Sequence, residues 1–288
     1  METLVKIRTG DTSADVAEAK QRELFARLGE VPSLIVALSG GIDSAYLAWA
    51  AHRVLGEKAL SVTALSQSYS AYDREQVEIF LQVAAIRHEF VETQELENPA
   101  YRANTADRCY YCKDELFKAL DKLARERRFA AVAYGVNADD TSDFRPGHRA
   151  AAEHQVLTPL LGAGLHKAEI RFLAKCAGIP CWDRPASACL SSRLPYGTEV
   201  TPERLSLVER GEAALRTLGF RQFRVRLHDK LGRVELAPEE LPRALNPDMA
   251  AEIARALKAA GFAYVALDLE GYRQGSLNET LGKAAGTS

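Results

Sequence analysis

Apolar and polar positions along the first two thirds of the chain follow two spacings, those of buried strands and those of amphipathic helices. Short apolar runs predict strands over 34–38, 59–65, 87–91 and 130–136. Helical spacing predicts helices over 15–28, 45–51, 73–85, 109–127 and 166–177. Strands and helices that alternate in this order are typical of a parallel sheet with helices on both faces. The sequence therefore predicts an α/β fold with a doubly wound parallel sheet.

A second pattern begins at residue 201 and predicts the order helix, strand, strand, helix, strand. One predicted strand, 220–227, alternates apolar residues with Arg224 and Arg226. This unit suits a smaller C-terminal α+β domain, so we predict two domains, 1–198 and 199–288. Before it, residues 178–197 carry three prolines and exclude a long helix. We expect this segment to close over the active site.

Composition narrows the class of protein. The chain has 288 residues, of which 47% are hydrophobic and 26% charged, as in globular proteins. No apolar run is long enough to span a bilayer, and the N-terminus has no signal-peptide pattern, so we expect a cytoplasmic location without membrane contact. The net charge of −2 argues against a nucleic-acid binder, because such domains carry a basic excess.

The first predicted strand ends in a glycine turn, Ser39-Gly-Gly-Ile-Asp-Ser44, that leads into a helix. Paired glycines let the backbone approach an anion, and a helix start presents free N–H groups. The turn lacks the lysine of a Walker sequence. It resembles the PP-loop, Ser-Gly-Gly-x-Asp-Ser, of ATP pyrophosphatases, which cleave ATP between the α and β phosphates and adenylylate a substrate. An ordinary glycine turn is the alternative.

The PP-loop resemblance implies an adenine nucleotide α-hydrolase-like fold that binds ATP, with Mg²⁺ nearby. The turn would hold the pyrophosphate, the end of the second strand would border the adenine, and a further strand end would contact nucleotide or Mg²⁺. The residues assigned to ATP on this ground are Ser39, Gly40, Gly41, Asp43, Ser44, Ala64 and Gly135. For the polar residues after Gly135, a solvated turn is an equal alternative.

Five cysteines form the second chemical signal, and their odd number argues against a disulfide framework. Cys109 and Cys112 lie three apart at a predicted helix start, which places both on one face and favours their thiolates. This pair suits a redox pair, half a zinc site or part of an iron–sulfur site. Cys189 lies in the segment expected to close over the site. Cys176 is predicted to be a core residue, and the role of Cys181 stays open.

Cys109, Cys112 and Cys189 together suit a [4Fe-4S] cluster with one open iron. An extra sulfide can bind at the open iron and be delivered to a substrate, whereas a zinc site would leave no such donor. The alternative for Cys189 is a small buried residue.

Four stretches together resemble the LarE family, in which ATP drives sulfur insertion during nickel-pincer nucleotide synthesis. They are 107–117, 182–193, 223–229 and 269–279, and the resemblance runs from about Ala26 to Glu279. It implies that ATP adenylylates a carboxylate of pyridinium-3,5-biscarboxylic acid mononucleotide, releasing pyrophosphate. A sulfur nucleophile then displaces AMP to leave a thiocarboxylate, and the reaction is used at both carboxylates.

LarE family members divide by their sulfur source. In one group a single cysteine, matching Cys189, gives up its sulfur and becomes dehydroalanine, whereas in the other three cysteines hold a [4Fe-4S] cluster. With Cys109 and Cys112 present, this sequence resembles the cluster group, and the source of its sulfide stays open. The family also forms hexamers. The residues expected to bind the small anionic nucleotide are Arg224, Arg226, Arg193, Glu212 and Arg273, with a solvated strand face as the alternative for the first two.

Three other functions compete with this interpretation. Some tRNA thiolases also combine a PP-loop with three cysteines and a [4Fe-4S] cluster, but the net acidic charge and the lack of a basic RNA-binding module argue against one. An amidotransferase-type synthetase, such as NAD or GMP synthetase, would not need the cysteines. A zinc-stapled nucleotide-binding scaffold is the non-enzymatic alternative.

Overall fold

A computed structural model describes residues 13–142, 146–185, 187–273 and 275–276. The helices are α1 (Ser13–Gly29), α2 (Ile42–Leu55), α3 (Ala71–Ala84), α4 (Pro99–Arg102), α5 (Arg108–Arg127), α6 (Pro146–Glu153), α7 (Pro159–Gly162), α8 (Lys167–Cys176), α9 (Pro202–Thr217), α10 (Leu241–Ala244) and α11 (Pro247–Ala260). The strands are β1 (Leu34–Ala37), β2 (Ala59–Leu65), β3 (His88–Glu92), β4 (Ala131–Tyr134), β5 (Phe223–His228), β6 (Leu231–Leu236) and β7 (Tyr264–Leu267). Part of the stretch 269–279 lies outside these ranges. Within them, none of the helices combines the length and the apolar composition needed to span a bilayer.

The larger sheet is parallel and has the strand order β3-β2-β1-β4. Strand β1 is buried along its whole length because helices cover both of its faces. Leu34 and Val36 point into a core shared with α1, α2, α3 and α8, whereas Ile35 and Ala37 point into a core shared with α5. The apolar residues of β1 thus pack alternately against the helices on the two faces of the sheet. The predicted α/β fold with a doubly wound parallel sheet is confirmed.

The smaller sheet has the order β5-β6-β7, with β5 antiparallel and β7 parallel to β6. Strand β5 begins at Phe223 rather than at the predicted residue 220. The reason is that the backbone N–H groups of Arg221 and Gln222 donate to the Glu240 carboxylate, at 2.9 and 3.0 Å, instead of to a neighbouring strand. The boundary between residues 198 and 199 stays a prediction.

The described part of the segment 178–197 is held against the loop after β2 and against α4. Its regular structure is a 3₁₀ turn at Leu190–Arg193, in keeping with its prolines. The Leu190 N–H donates to the Ser68 carbonyl oxygen, at 3.0 Å, in the loop after β2. The Tyr101 hydroxyl lies 2.6 Å from Ser191 Oγ. These bonds position the cysteine of this segment, Cys189, at the carboxyl ends of the parallel strands.

Candidate functional site

The glycine turn after β1 is preorganised by its own side chains. Ser44 Oγ donates to the Gly41 carbonyl oxygen at 2.9 Å and accepts from the Ser39 N–H at 3.1 Å. Gly40 has a φ of +83°, which favours glycine. Gly41 caps α2 without a side-chain hydrogen bond. The first N–H groups of α2 therefore have no capping side chain and point where an anion can bind.

Asp43 lies in the first turn of α2, and its carboxylate is half-buried. Its Oδ2 lies 2.5 Å from Lys167 Nζ, whereas its Oδ1 is buried and has no hydrogen-bond partner among the described residues. Burial raises the pKa of Asp43, the Lys167 ammonium opposes this, and the nearby Asp140 carboxylate adds to it. A buried carboxylate oxygen without a partner, next to a second carboxylate, fits the hard oxygen ligands that Mg²⁺ takes.

The two other residues assigned to ATP lie at the ends of β2 and β4. A Cβ atom on Gly135 would lie 2.7 Å from the Ser44 backbone nitrogen, so β4 can approach the start of α2 only with glycine there. Ala64 is half-buried, and its neighbours Leu65 and Ser66 line a cavity of about 380 Å³. Packing thus explains Gly135, and the contacts of both residues with ATP stay predictions.

We expect Gly135→Ala to destabilise the protein by about 1–3 kcal/mol, the usual cost of overpacking. The added methyl group meets backbone atoms of the glycine turn, which cannot rotate away as a side chain would. Urea unfolding measures the loss. Gly29→Ala is the matched control, because its Cβ would meet only Val54 Cγ1 at 3.9 Å. Equal stability of the two variants would contradict the close approach of β4 to α2.

Cys109 and Cys189 lie near the buried guanidinium of Arg108, and Cys112 lies near both of these thiols. Arg108 Nη2 lies 3.9 Å from Cys109 Sγ, and Nη1 donates to the Ser191 carbonyl oxygen at 2.8 Å. Burial works against the charge of Arg108, but Cys189 and then Cys109 outweigh it and raise the pKa of Arg108. Arg108 therefore ties the start of α5 to the Cys189 segment and supplies a positive charge beside the thiols.

One of the predictions about the cysteines is wrong, that for Cys176. Burial, with Cys189 as the next cause, raises the pKa of Cys112 above its usual range, and the effect of the helix start on its thiolate stays a prediction. Cys176 is exposed on α8 and is not a core residue, whereas Cys181 is buried in the larger core.

The three thiols agree chemically with a [4Fe-4S] cluster, which is held by cysteine thiolates. They share one neighbourhood, since Cys189 and Cys109 both raise the pKa of Cys112. Within the residues that the structure describes, no group of three or more His, Cys, Asp or Glu side chains is placed so that it could hold a metal ion.

A polar cleft of about 380 Å³ lies between the Cys189 segment and the smaller sheet. The basic residues that line it are Arg184, Arg193, Arg216, Arg221 and Arg224. Three of the five residues predicted to bind the substrate, Arg193, Glu212 and Arg224, thus lie on its wall. Arginines in this number suit an anionic ligand.

The predicted substrate residues are less exposed than a solvated strand face requires. Arg224 and Arg226 are 9% and 7% exposed, so that alternative is wrong. Arg226 pairs with the buried Glu235, both bonds at 3.0 Å, and donates to the Ser192 carbonyl oxygen at 2.6 Å. Arg273 pairs with Glu270 at 2.6 Å. Neither Arg226 nor Arg273 is among the described residues that line the cleft.

The sequence interpretation missed a stack of side chains at the cleft. Two guanidinium groups contact the ring of Tyr72, with Cζ of Arg216 at 3.7 Å and Cζ of Arg184 at 4.8 Å from the ring centroid. Arg184 also pairs with Asp73. These residues come from α3, the 178–197 segment and α9, and no local pattern connects them. The fold alone brings them together.

A parallel sheet whose first strand runs through a Ser-Gly-Gly-x-Asp-Ser turn into a helix defines an α/β protein of the PP-loop type. No family model matches the chain. It is 34% identical over 269 residues to the pyridinium-3,5-bisthiocarboxylic acid mononucleotide synthase of Lactiplantibacillus plantarum. The aligned residues make up 92% of this chain and 96% of that protein. The chain therefore belongs to the LarE family.

Two further relatives carry no assigned function. An uncharacterized protein of Synechocystis is 42% identical over 266 residues, which covers 92% of this chain and 99% of that protein. An uncharacterized protein of Methanocaldococcus jannaschii is 32% identical over 170 residues, 59% of this chain and 66% of that protein.

Proposed function

We propose that the protein is an ATP-dependent sulfurtransferase. It adenylylates the carboxylates of pyridinium-3,5-biscarboxylic acid mononucleotide and converts them to thiocarboxylates. The observation that carries this proposal is the position of Cys189. Its neighbours Ala188 and Leu190 line the arginine cleft, while Cys189 itself adjoins Arg108 and the other two thiols. A carboxylate bound in the cleft would lie beside the sulfur-bearing segment.

The first step is the activation of a carboxylate. A substrate carboxylate oxygen attacks the α phosphorus of ATP, the bond to the bridging oxygen breaks, and pyrophosphate leaves with the electron pair. The glycine turn, Ser39 to Ser44, holds the pyrophosphate through the N–H groups at the start of α2. Asp43 and Asp140 would hold Mg²⁺, which neutralises phosphate charge.

The second step replaces AMP by sulfur. A sulfur nucleophile attacks the acyl carbon, and AMP leaves with the electrons of the C–O bond. Arg224 on the cleft wall supplies positive charge for the anionic nucleotide, while Arg193, paired with Glu212, holds the carbonyl oxygens of Ala188 and Cys189. Cys109, Cys112 and Cys189 would hold a [4Fe-4S] cluster, and a bound cluster would supply a transferable sulfide. Cys112 is half-buried, and its closeness to both Cys189 and Cys109 supports this role.

The sacrificial use of Cys189 is the alternative for the sulfur source. In that reaction Cys189 Sγ displaces AMP from the acyl carbon and forms a thioester. A base then removes the Cα proton of Cys189, the electron pair of the Cα–H bond forms the double bond of dehydroalanine, and the Cβ–Sγ bond breaks with its electrons on sulfur to release the thiocarboxylate. The exposed position of Cys109 favours neither source.

Anaerobic turnover with ATP, Mg²⁺ and the biscarboxylate nucleotide tests the proposal. We expect pyrophosphate, AMP and a thiocarboxylate product, with an unchanged mass of the polypeptide. A polypeptide lighter by one H₂S would replace the cluster by sacrificial Cys189. No pyrophosphate with this substrate, but release with a tRNA, would replace the proposed function by tRNA thiolation.

A further inference from the structure

Arg184 connects the glycine turn to the segment that carries Cys189. Its Nη1 donates to the Gly40 carbonyl oxygen at 3.0 Å, and its Nη2 pairs with the Asp73 carboxylate. The side chains of Arg184 and Asp73 are each only 10% exposed. A largely desolvated ion pair is stronger than a surface pair, so these contacts fix the guanidinium against the turn.

The glycine turn also packs closely against α3, at Gly40. A Cβ atom on Gly40 would lie 3.2 Å from the Asp73 carbonyl oxygen and 3.1 Å from Val77 Cγ2. The glycine turn and the first turns of α3 therefore pack as one unit. Since Arg184 bonds both Gly40 and Asp73, a change at the turn reaches Arg184 by two routes.

The same contacts lead on to Cys189. Ser187 Oγ donates to Asp73 Oδ2 at 3.3 Å, and the Leu190 N–H donates to the Ser68 carbonyl oxygen. The main chain at Arg184 is fixed in turn by Arg171, whose Nη2 donates to the Arg184 carbonyl oxygen at 2.7 Å. Cys189 lies between Ser187, which Asp73 holds, and Leu190, which Ser68 holds, while Arg193 donates to its carbonyl oxygen at 3.0 Å. One of the contacts that position Cys189 thus depends on Asp73 and Arg184.

We propose that Arg184 is a positioning residue that couples occupancy of the glycine turn to the position of Cys189. The inference rests on the proposed function, because it needs a phosphate group on the turn. An anion bound there brings negative charge beside the Arg184 guanidinium and competes with Asp73 for it. The resulting shift of the Arg184–Asp73 pair moves Ser187, and with it the neighbouring thiol.

Alkylation of Cys189 by iodoacetamide, followed peptide by peptide by mass spectrometry, measures this coupling. In the wild-type protein without a bound cluster, we expect saturating ATP with Mg²⁺ to change the alkylation rate of Cys189 by about fivefold or more, the usual lower range of coupling between sites. The exposed Cys176 on α8 is the internal control, and its rate should not respond to ATP. Equilibrium dialysis measures ATP binding in the same samples.

In Arg184→Gln we expect ATP to bind while the ATP-dependent change at Cys189 is lost. Ser187→Ala, a milder change, should reduce the response of Cys189 and serves if Arg184→Gln does not fold. Arg27→Gln is the matched control variant, because the Arg27–Glu23 ion pair on α1 is exposed, and it should keep the full response.

The outcomes separate the two proposals. If ATP binds to the wild-type protein but leaves Cys189 alkylation unchanged, or if Arg184→Gln and Ser187→Ala keep the full response, the coupling role is overturned and the proposed function stands. If ATP does not bind at all, the proposed function fails and the coupling with it.

Discussion

Cys189→Ser should abolish thiocarboxylate formation while substrate-dependent pyrophosphate release continues. A serine hydroxyl neither ligates iron as a thiolate does nor carries a sulfur to give up, so both sulfur sources are lost together. Loss of an enzyme nucleophile typically lowers kcat on the order of 10⁴- to 10⁶-fold. The glycine turn and Asp43 are untouched by this substitution, so adenylylation remains. Parallel assays of pyrophosphate and of thiocarboxylate measure whether adenylylation continues without sulfur transfer.

Two further substitutions make the Cys189 result specific. Cys176→Ser should keep both activities, because that thiol lies exposed on α8 away from Arg108. Cys109→Ser should lose thiocarboxylate formation if the cluster supplies the sulfur, and keep it if Cys189 is sacrificed. Normal thiocarboxylate yield from Cys189→Ser would remove this cysteine from the mechanism altogether.

The parallel sheet is predictable from the sequence because its strands are buried on both faces. Leu34 to Ala37 form one continuous apolar run, and such a run between helical patterns has few other placements. The start of β5 is less predictable, because Glu240 takes the N–H groups of Arg221 and Gln222 from a residue distant in sequence. The type of element thus follows from local pattern, whereas its ends depend on tertiary hydrogen bonds.

The candidate site likewise has parts that the local sequence predicts and parts that depend on tertiary contacts. The glycine turn is contiguous, so six residues suffice to predict it. The prediction that Cys176 is a core residue is wrong because of the direction in which its position on α8 faces. Cys176 follows the buried Ala174 by two positions, a rotation of about 200°, which turns the thiol away from the core. The contact of Arg184 with Gly40 joins residues that are 144 positions apart in the sequence. No helical or strand spacing of apolar residues can predict such a contact.

Glu212→Ala should be the most destabilising single substitution among the candidate site residues. Glu212 accepts two hydrogen bonds from Arg193, both at 2.8 Å, and one from the Val225 N–H at 3.2 Å. The side chains of Arg193 and Glu212 are 3% and 7% exposed, so removing the carboxylate leaves a buried, uncompensated guanidinium. Breaking a buried pair in this way costs about 3–5 kcal/mol. Urea unfolding at neutral pH measures the change.

Two comparisons test the physical reason for that loss. Glu199→Ala breaks the Arg102–Glu199 pair, which is about half exposed at 48% and 50%, and should cost about 0–1 kcal/mol. The double variant Arg193→Met with Glu212→Leu should be more stable than Glu212→Ala, because it leaves no buried charge without a partner. If the double variant is less stable than Glu212→Ala, the remaining bonds of Arg193 to the Ala188 and Cys189 carbonyl oxygens hold the segment more strongly than its pairing with Glu212 does.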